Sequence, residues 1–215
     1  MENVLTLNHP VVQHNLAVIR DKNYDCESFR TAMRRVSYAL FLEATRFLPT
    51  TKKVVETPLC KMVQDVLNPD IEIILAPILR AGVAFCDVAQ EILPEARVQH
   101  LGMYRDEETL KPVWYYNKTF KISQNPNTTH VLVLDPMLAT GNSAVDAIRI
   151  YVEKGVPIEN IIFVCLLAAP DGIKNLRENF GAVRIITVNV DDSLNERGYI
   201  VPGLGDAGDK IFNTI

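Results

Sequence analysis

The sequence predicts an α/β fold, a mainly parallel sheet flanked by helices, and three observations carry that expectation. From residue 71 onward, short apolar runs alternate with helical stretches. Residues 1–50 are helical in pattern and predict a helical N-terminal hood. Residues 103–121 interrupt the alternation with a charged, then aromatic, segment that reads as a β-hairpin excursion. Strands alternating with helices build βαβ units around a parallel sheet.

Taken in order, Pro10 suits the first turn of a helix, with Asn8 upstream as a candidate cap and Arg20 near the end. A second helix is expected after Asp25, reaching Leu48. Its Phe29, Met33, Val36, Leu40, Ala44 and Phe47 recur at helical spacing. Arg30, Arg34 and Arg35 lie between them and read as a solvated face. The apolar runs 71–76, 97–102, 131–134, 161–167 and 183–190 read as strands. Residues 83–93, 144–154 and 173–179 read as helices. No repeat or Gly/Ser-rich linker divides the chain, so 1–215 is expected to be one domain.

Charge excludes one class of function. With 22 Lys+Arg against 26 Asp+Glu, the net charge is −4, which argues against a non-specific nucleic-acid binder. The N-terminus has Glu2 and no basic region, unlike a secretory leader. The apolar run 161–169 is far shorter than the ~20 residues that span a bilayer. A cytoplasmic protein without a membrane partner is expected. Cys26, Cys60, Cys86 and Cys165 are widely separated and lack C-x-x-C spacing, so they read as buried, reduced thiols. His9, His14, His100 and His130 are scattered and read as structural. For His9 and His14, near the first helix, a capping role is expected.

Parallel sheets bind ligands beyond the carboxyl ends of their strands. Residues 131–144 (VLVLDPMLATGNSA) read as a buried strand, a loop and a helix start. The loop offers the Thr140 and Ser143 hydroxyls, Gly141, and N–H groups entering a helix. Those features suit an anion site or a capped helix after a tight turn, and both readings stand. Asp135, at the strand end, can accept hydrogen bonds from sugar hydroxyls. Residues 76–82 (APILRAG) put Arg80 beside a strand end, where its planar fork could grip a diphosphate or simply face solvent. Residues 195–209 (NERGYIVPGLGDAGD) contain G-x-G-x-x-G at 203–208. Only seven residues follow Gly208, too few for the rest of a dinucleotide-binding unit. The better reading is a glycine-rich loop whose backbone can hydrogen-bond a small flat ligand. No Walker motif and no H-E-x-x-H is present.

Residues 135–143 (DPMLATGNS) resemble the phosphoribosyl-diphosphate (PRPP) loop of the type I phosphoribosyltransferases. The Asp-Pro form is similar to that of the uracil phosphoribosyltransferase family. Pro136 stands where many relatives have a second acid, and Asn142 where Gly is typical. Asn tolerates left-handed backbone angles, so the loop is expected to keep its shape. Residues 77–82 resemble the family's diphosphate loop, 104–116 its mobile hairpin and 195–209 its uracil-binding signature. Phrases at 9–10, 43–46 and 55–58 also look familial, so the resemblance spans nearly the whole chain.

The resemblance implies the type I phosphoribosyltransferase fold and a pyrimidine-salvage reaction, uracil plus PRPP giving UMP and diphosphate. It implies PRPP contacts from Arg80, Arg105, Asp135, Pro136, Met137, Leu138, Ala139, Thr140, Gly141, Asn142, Ser143 and Asp206. It implies uracil contacts at Ile200, Gly205, Asp206 and Ala207 within the base-binding loop 191–210, with Tyr199 covering the base. Arg80, Arg105 and Asp206 are the implied catalytic residues. Mg²⁺ is implied as a cofactor carried mainly by the diphosphate, with no protein metal cage. The N1 proton has two acceptors open to it, Asp206 or water. A homodimer or higher homo-oligomer is implied, and GTP stays open as an effector. Two alternatives are an RNA-binding pyrimidine regulator on the same fold and a phosphoribosyltransferase for another base. The net acidity disfavours the first, and the 198–209 loop disfavours the second.

Overall fold

The computed structural model describes residues 3–106, 112–118, 121–122 and 125–214, with Arg105 described by its backbone alone. The chain begins with β1 (Val4–Thr6), α1 (Pro10–Arg20) and α2 (Cys26–Ala44). His9, rather than Asn8, caps α1: its Nδ1 accepts the Val11 N–H at 3.2 Å, with Pro10 opening the helix. Asp25 caps α2 by accepting the Ser28 N–H at 2.8 Å, and that bond holds its carboxyl below the ordinary range. α2 ends at Ala44, short of Leu48. Beyond it Thr45–Phe47 is a 3-10 turn, and the Thr45 hydroxyl donates back to the Phe41 carbonyl at 2.8 Å.

A hairpin absent from the sequence reading follows, β2 (Thr50–Glu56) paired antiparallel with β3 (Lys61–Leu67). Nearly every residue of both strands is exposed, so no burial period marks them. Next come β4 (Glu72–Leu79), α3 (Val83–Ile92), β5 (Arg97–Val98), β6 (Leu101–Arg105), β7 (Pro112–Asn117), β8 (Thr129–Leu134), β9 (Met137–Leu138) and α4 (Asn142–Glu153). The chain continues through β10 (Ile161–Val164), β11 (Leu167–Ala168), α5 (Pro170–Phe180), β12 (Arg184–Thr187) and β13 (Asn189–Val190). It ends with β14 (Ser193–Leu194), β15 (Ile200–Val201) and α6 (Ala207–Phe212). The short α6 was not expected; Asp206 caps it by accepting the Asp209 N–H at 3.0 Å.

The main sheet runs β1-β12-β10-β8-β4-β6-β7, with β5 also on β4, and is parallel except between β6 and β7. Its strands alternate strictly between two cores. Leu75, Leu132, Leu134, Ile162 and Val164 pack with α1, α2 and α3. Ile74, Ala76, Val131, Val133, Ile161 and Phe163 pack with α4 and α5. Both faces are covered, which is why these strands read as continuous apolar runs. Each fully buried aliphatic side chain contributes about 1.5–3 kcal/mol, so this double core dominates the fold's stability.

Three expected strands are broken. Run 161–167 divides into β10 and β11, and run 183–190 into β12 and β13. For run 161–167 the cause lies beside it, between β8 and β9. Pro136 has no N–H for a ladder and is buried. Its carbonyl accepts from both Leu166 and Leu167 N–H, at 2.9 and 3.1 Å. β8 therefore bends at Asp135–Pro136, and the adjacent strands resume beyond the bend as a small parallel sheet, β13-β11-β9. Run 97–102 likewise splits into β5 and β6, which pair with successive parts of β4.

Candidate functional site

The ends of β4 and β8, the start of α4 and the loop before α6 enclose a cleft of about 250 Å³. It opens into a wider space of about 880 Å³ bordered by Tyr104, Tyr115, Glu196 and Arg197. Arg80, Ala81, Met103, Tyr199, Asp206 and Gly208 line both, so the two are continuous. Cavities of this size suit a small ligand.

The cleft brings together most of the residues singled out in the sequence. Arg80, Asp135, Met137, Leu138, Ala139, Thr140, Gly141 and Ser143 line it from one side. Tyr199, Ile200, Gly205, Asp206 and Ala207 line it from the other. Pro136 and Asn142 are not among the lining residues. The Arg105 side chain lies outside the described residues, as do most residues between the β6 and β7 arms of the expected hairpin.

On the first side, Gly141 has φ +81 at the N-cap of α4 and supplies no capping side chain. A Cβ there would stand 2.9 Å from the Gly172 carbonyl. Gly141, not Asn142, thus takes the left-handed conformation, and Asn142 is already helical. Its side chain turns to α5: Asn175 Nδ2 donates to Asn142 Oδ1 and to the Thr140 carbonyl, both at 2.9 Å. The first turn of a helix has no intrahelical partner for its amides and carries the positive end of the dipole. Opening onto the cleft, this helix start suits a phosphate.

Asp135 sits at the bend. Burial pushes its carboxyl up to about 7; the Met137 N–H at 3.2 Å works against that rise, and the charge of Asp206 adds to it. Arg80, whose peptide link from Leu79 is cis, projects into the cleft mouth. Its Nη2 lies 2.9 Å from Asp209 Oδ1, and its guanidinium 5.9 Å from the Phe212 ring centre. Asp209 also accepts the Thr214 hydroxyl at 2.6 Å; that bond and Arg80 hold its carboxyl below the ordinary range.

The second side is mostly backbone. β14 and β15 pair antiparallel over two residues, and the Asn195 N–H donates to the Tyr199 carbonyl at 2.9 Å. Gly203 and Gly205 have φ +62 and +86. The 203–208 glycines lead into the six-residue α6. Sequence reasoning missed Asp209 and Asn175. Asp209 lies within the quoted 195–209 phrase, but nothing in that phrase pairs it with Arg80. Asn175 is 33 residues from Asn142, and no local pattern links them.

No group of three or more His, Cys, Asp or Glu residues able to hold a metal occurs among the described residues. No helix among them is long and apolar enough to cross a membrane.

A family model described as uracil phosphoribosyltransferase matches residues 6–214. The chain is similar to the uracil phosphoribosyltransferase of Dictyoglomus thermophilum, with 48% identity over 212 residues, 98% of this chain and 99% of the relative. It is 45% identical over 214 residues, the full length of both, to that of Rhizobium leguminosarum bv. trifolii. Among solved structures, the AQ2163 protein from Aquifex aeolicus superposes with a TM-score of 0.87 at 35% identity, covering 97% of each chain. The adenine phosphoribosyl transferase from Trypanosoma brucei, solved with AMP, pyrophosphate and ribose-5-phosphate, gives 0.57 at 14% identity, over 96% of this chain and 89% of that one. That likeness is one of fold.

Proposed function

This chain belongs to the uracil phosphoribosyltransferase family, and on that premise we propose that the cleft described above is where it joins uracil to the ribose 5-phosphate of PRPP. It is a pentosyltransferase on the type I phosphoribosyltransferase fold, converting uracil and PRPP to UMP and diphosphate. One observation carries the site assignment: a helix start with no side-chain cap, an arginine and a glycine-bearing loop line a single cleft.

In this reading the 139–144 loop and the first amides of α4 hold the 5′-phosphate, and Asp135 takes the ribose hydroxyls. Pro136 acts by bending the chain, and Asn142 by its bond to Asn175. Arg80 grips the diphosphate, with Arg105 as its second arginine. The peptide groups of Ile200 and of Gly205, Asp206 and Ala207 read the uracil edge, with Tyr199 beside it. As the C1′–N1 bond forms and the C1′–O bond breaks, negative charge builds on the leaving diphosphate, where fixed positive charge lowers the barrier. Holding N1 near C1′ removes much of the entropic cost. The N1 proton leaves to Asp206 or to solvent, and the pH profile of Asp206→Asn separates the two. Cytosine would offer an amine where a carbonyl is read, leaving buried groups unpaired.

The cleft carboxylates are Asp135 and Asp206. Two acids without a third ligand fit Mg²⁺ that arrives on substrate phosphates better than a metal in a protein cage. Bound there, Mg²⁺ would neutralise part of the diphosphate charge. A homodimer or higher homo-oligomer is favoured by the β2–β3 ribbon, whose Val54 and Val63 are 66% and 57% exposed. An isolated two-stranded ribbon is marginal in water and gains from a partner. The phosphorylated substrate, which does not cross membranes unaided, favours the cytoplasm.

The test is UMP formation from PRPP and Mg²⁺ with uracil, cytosine, orotate or hypoxanthine, each with and without GTP. Turnover on uracil alone is expected, and a change on adding GTP would identify it as an effector. Turnover on another base without uracil turnover overturns the assignment, as does no turnover together with salt-sensitive RNA binding.

A further inference from the structure

The segment proposed to read uracil has little secondary structure of its own, since β14 and β15 pair over only two residues each. Its fixed shape comes from the other end of the sequence. Arg20, the last residue of α1, sends Nη1 to Asp191 Oδ2 at 2.8 Å and to the Gly203 carbonyl at 2.6 Å. Its Nη2 meets Asp191 Oδ1 at 2.5 Å. Asp191 is 3% exposed and also accepts the Gly203 N–H at 2.8 Å and Asn189 Nδ2 at 2.7 Å. Both backbone polar groups of Gly203 are therefore tied to this ion pair.

Gly203 in turn determines where Ile200 sits. A Cβ at Gly203 would stand 2.0 Å from the Ile200 carbonyl oxygen, so the two backbones are in close contact. The Asp192 N–H donates to the Val201 carbonyl at 3.1 Å, closing the same turn from its other side. Movement of Gly203 must move Ile200, and with it the spacing to Gly205 and Asp206. Burial works to raise the Asp191 carboxyl, but Arg20, Asn189 and the Gly203 N–H outweigh it and hold the group below its ordinary range. The pair is charged, bidentate and geometrically exacting.

We propose that Arg20 and Asp191 are positioning residues for base recognition: they clamp Gly203 and so set the spacing of the peptide groups that read the pyrimidine edge. This rests on the reading of 198–208 as the base loop. Neither side chain lines the cleft, so their effect passes through the backbone. A pair serving stability alone would lower the melting temperature and leave both KM values unchanged in the folded enzyme. A positioning pair disturbs uracil selectively.

The experiment is steady-state kinetics and thermal melting of wild type, Asp191→Asn, Arg20→Lys and the double variant. KM for uracil should rise about tenfold while KM for PRPP stays within about twofold, because small misplacements of a binding group are costly. The preference for uracil over cytosine should narrow, and the double variant should lose little more than the worse single one. Arg20→Lys keeps the charge but not the fork, and it is the variant to read if Asp191→Asn fails to fold. An unchanged uracil KM in a folded variant, or a parallel rise in both KM values, overturns the clamp. Absence of uracil turnover in the wild type overturns the base-loop reading itself, so the two failures are distinguishable.

Discussion

The proposed phosphate side of the cleft and its proposed base side are built by opposite means. The phosphate side grows out of the sheet: β8, packed on both faces, delivers Asp135, and the loop beyond it feeds directly into the twelve residues of α4. The base side hangs from two-residue strands and is tied down by a half-buried ion pair from α1. The difference teaches what each ligand asks of a protein. A charged phosphate can be held by helix amides on a rigid scaffold, with tolerance for small errors. A flat neutral ring must meet peptide groups at set spacing, and a short loop keeps that spacing only if something else holds it.

Breaking the comparison at its strongest point means removing Arg80. Arg80→Ala should lower kcat/KM for PRPP by about 10²–10³, the scale seen when one donor to a developing negative charge is lost. The KM for uracil should stay nearly constant. A parallel rise in both KM values would show that Arg80 serves the whole cleft and not its phosphate side.

A smaller effect is expected at Asn175, which braces the phosphate loop through Thr140 and Asn142. Asn175→Ala should raise KM for PRPP about threefold to tenfold, as expected for the loss of about 1 kcal/mol of hydrogen bonding. Uracil KM is the internal control. A PRPP KM that does not move would reduce this bond to surface decoration.

A separate effect is on stability. Asp135 has its carboxyl raised to about 7 in the folded chain, above its ordinary value of 3.8. Between those values the folded chain keeps a proton that the unfolded chain releases. Stability therefore falls as pH rises through that window, and the full cost is present above about 7. Asp135→Asn has no such cost. Its melting temperature, measured against wild type, should be higher at pH 8, and the gap should shrink as pH falls toward 5. A gap independent of pH would contradict a raised Asp135.

Much of this arrangement was legible in the sequence, for identifiable reasons. Strands covered on both faces announce themselves as apolar runs, so β4 and β8 were found, and with them the loops that carry Arg80 and Asp135. The glycines at 203 and 205 marked a turning loop, and both have positive φ. Other features depend on distant partners. The β2–β3 ribbon is exposed on both faces and shows no period. The break in run 161–167 lies opposite Pro136, between β8 and β9 of the neighbouring run. Arg20 and Asp191 are 171 residues apart, and no local pattern joins them. The orientation of Asn142 is decided by α5, not by its own loop.

The central claim is that one cleft contains two separately supported halves. Its most direct test is KM for both substrates, measured side by side on Asn175→Ala and Arg20→Lys. The prediction is a crossed pattern: Asn175→Ala raises KM for PRPP and Arg20→Lys raises KM for uracil, each leaving the other substrate within about twofold. Two variants that raise both KM values in parallel would contradict it.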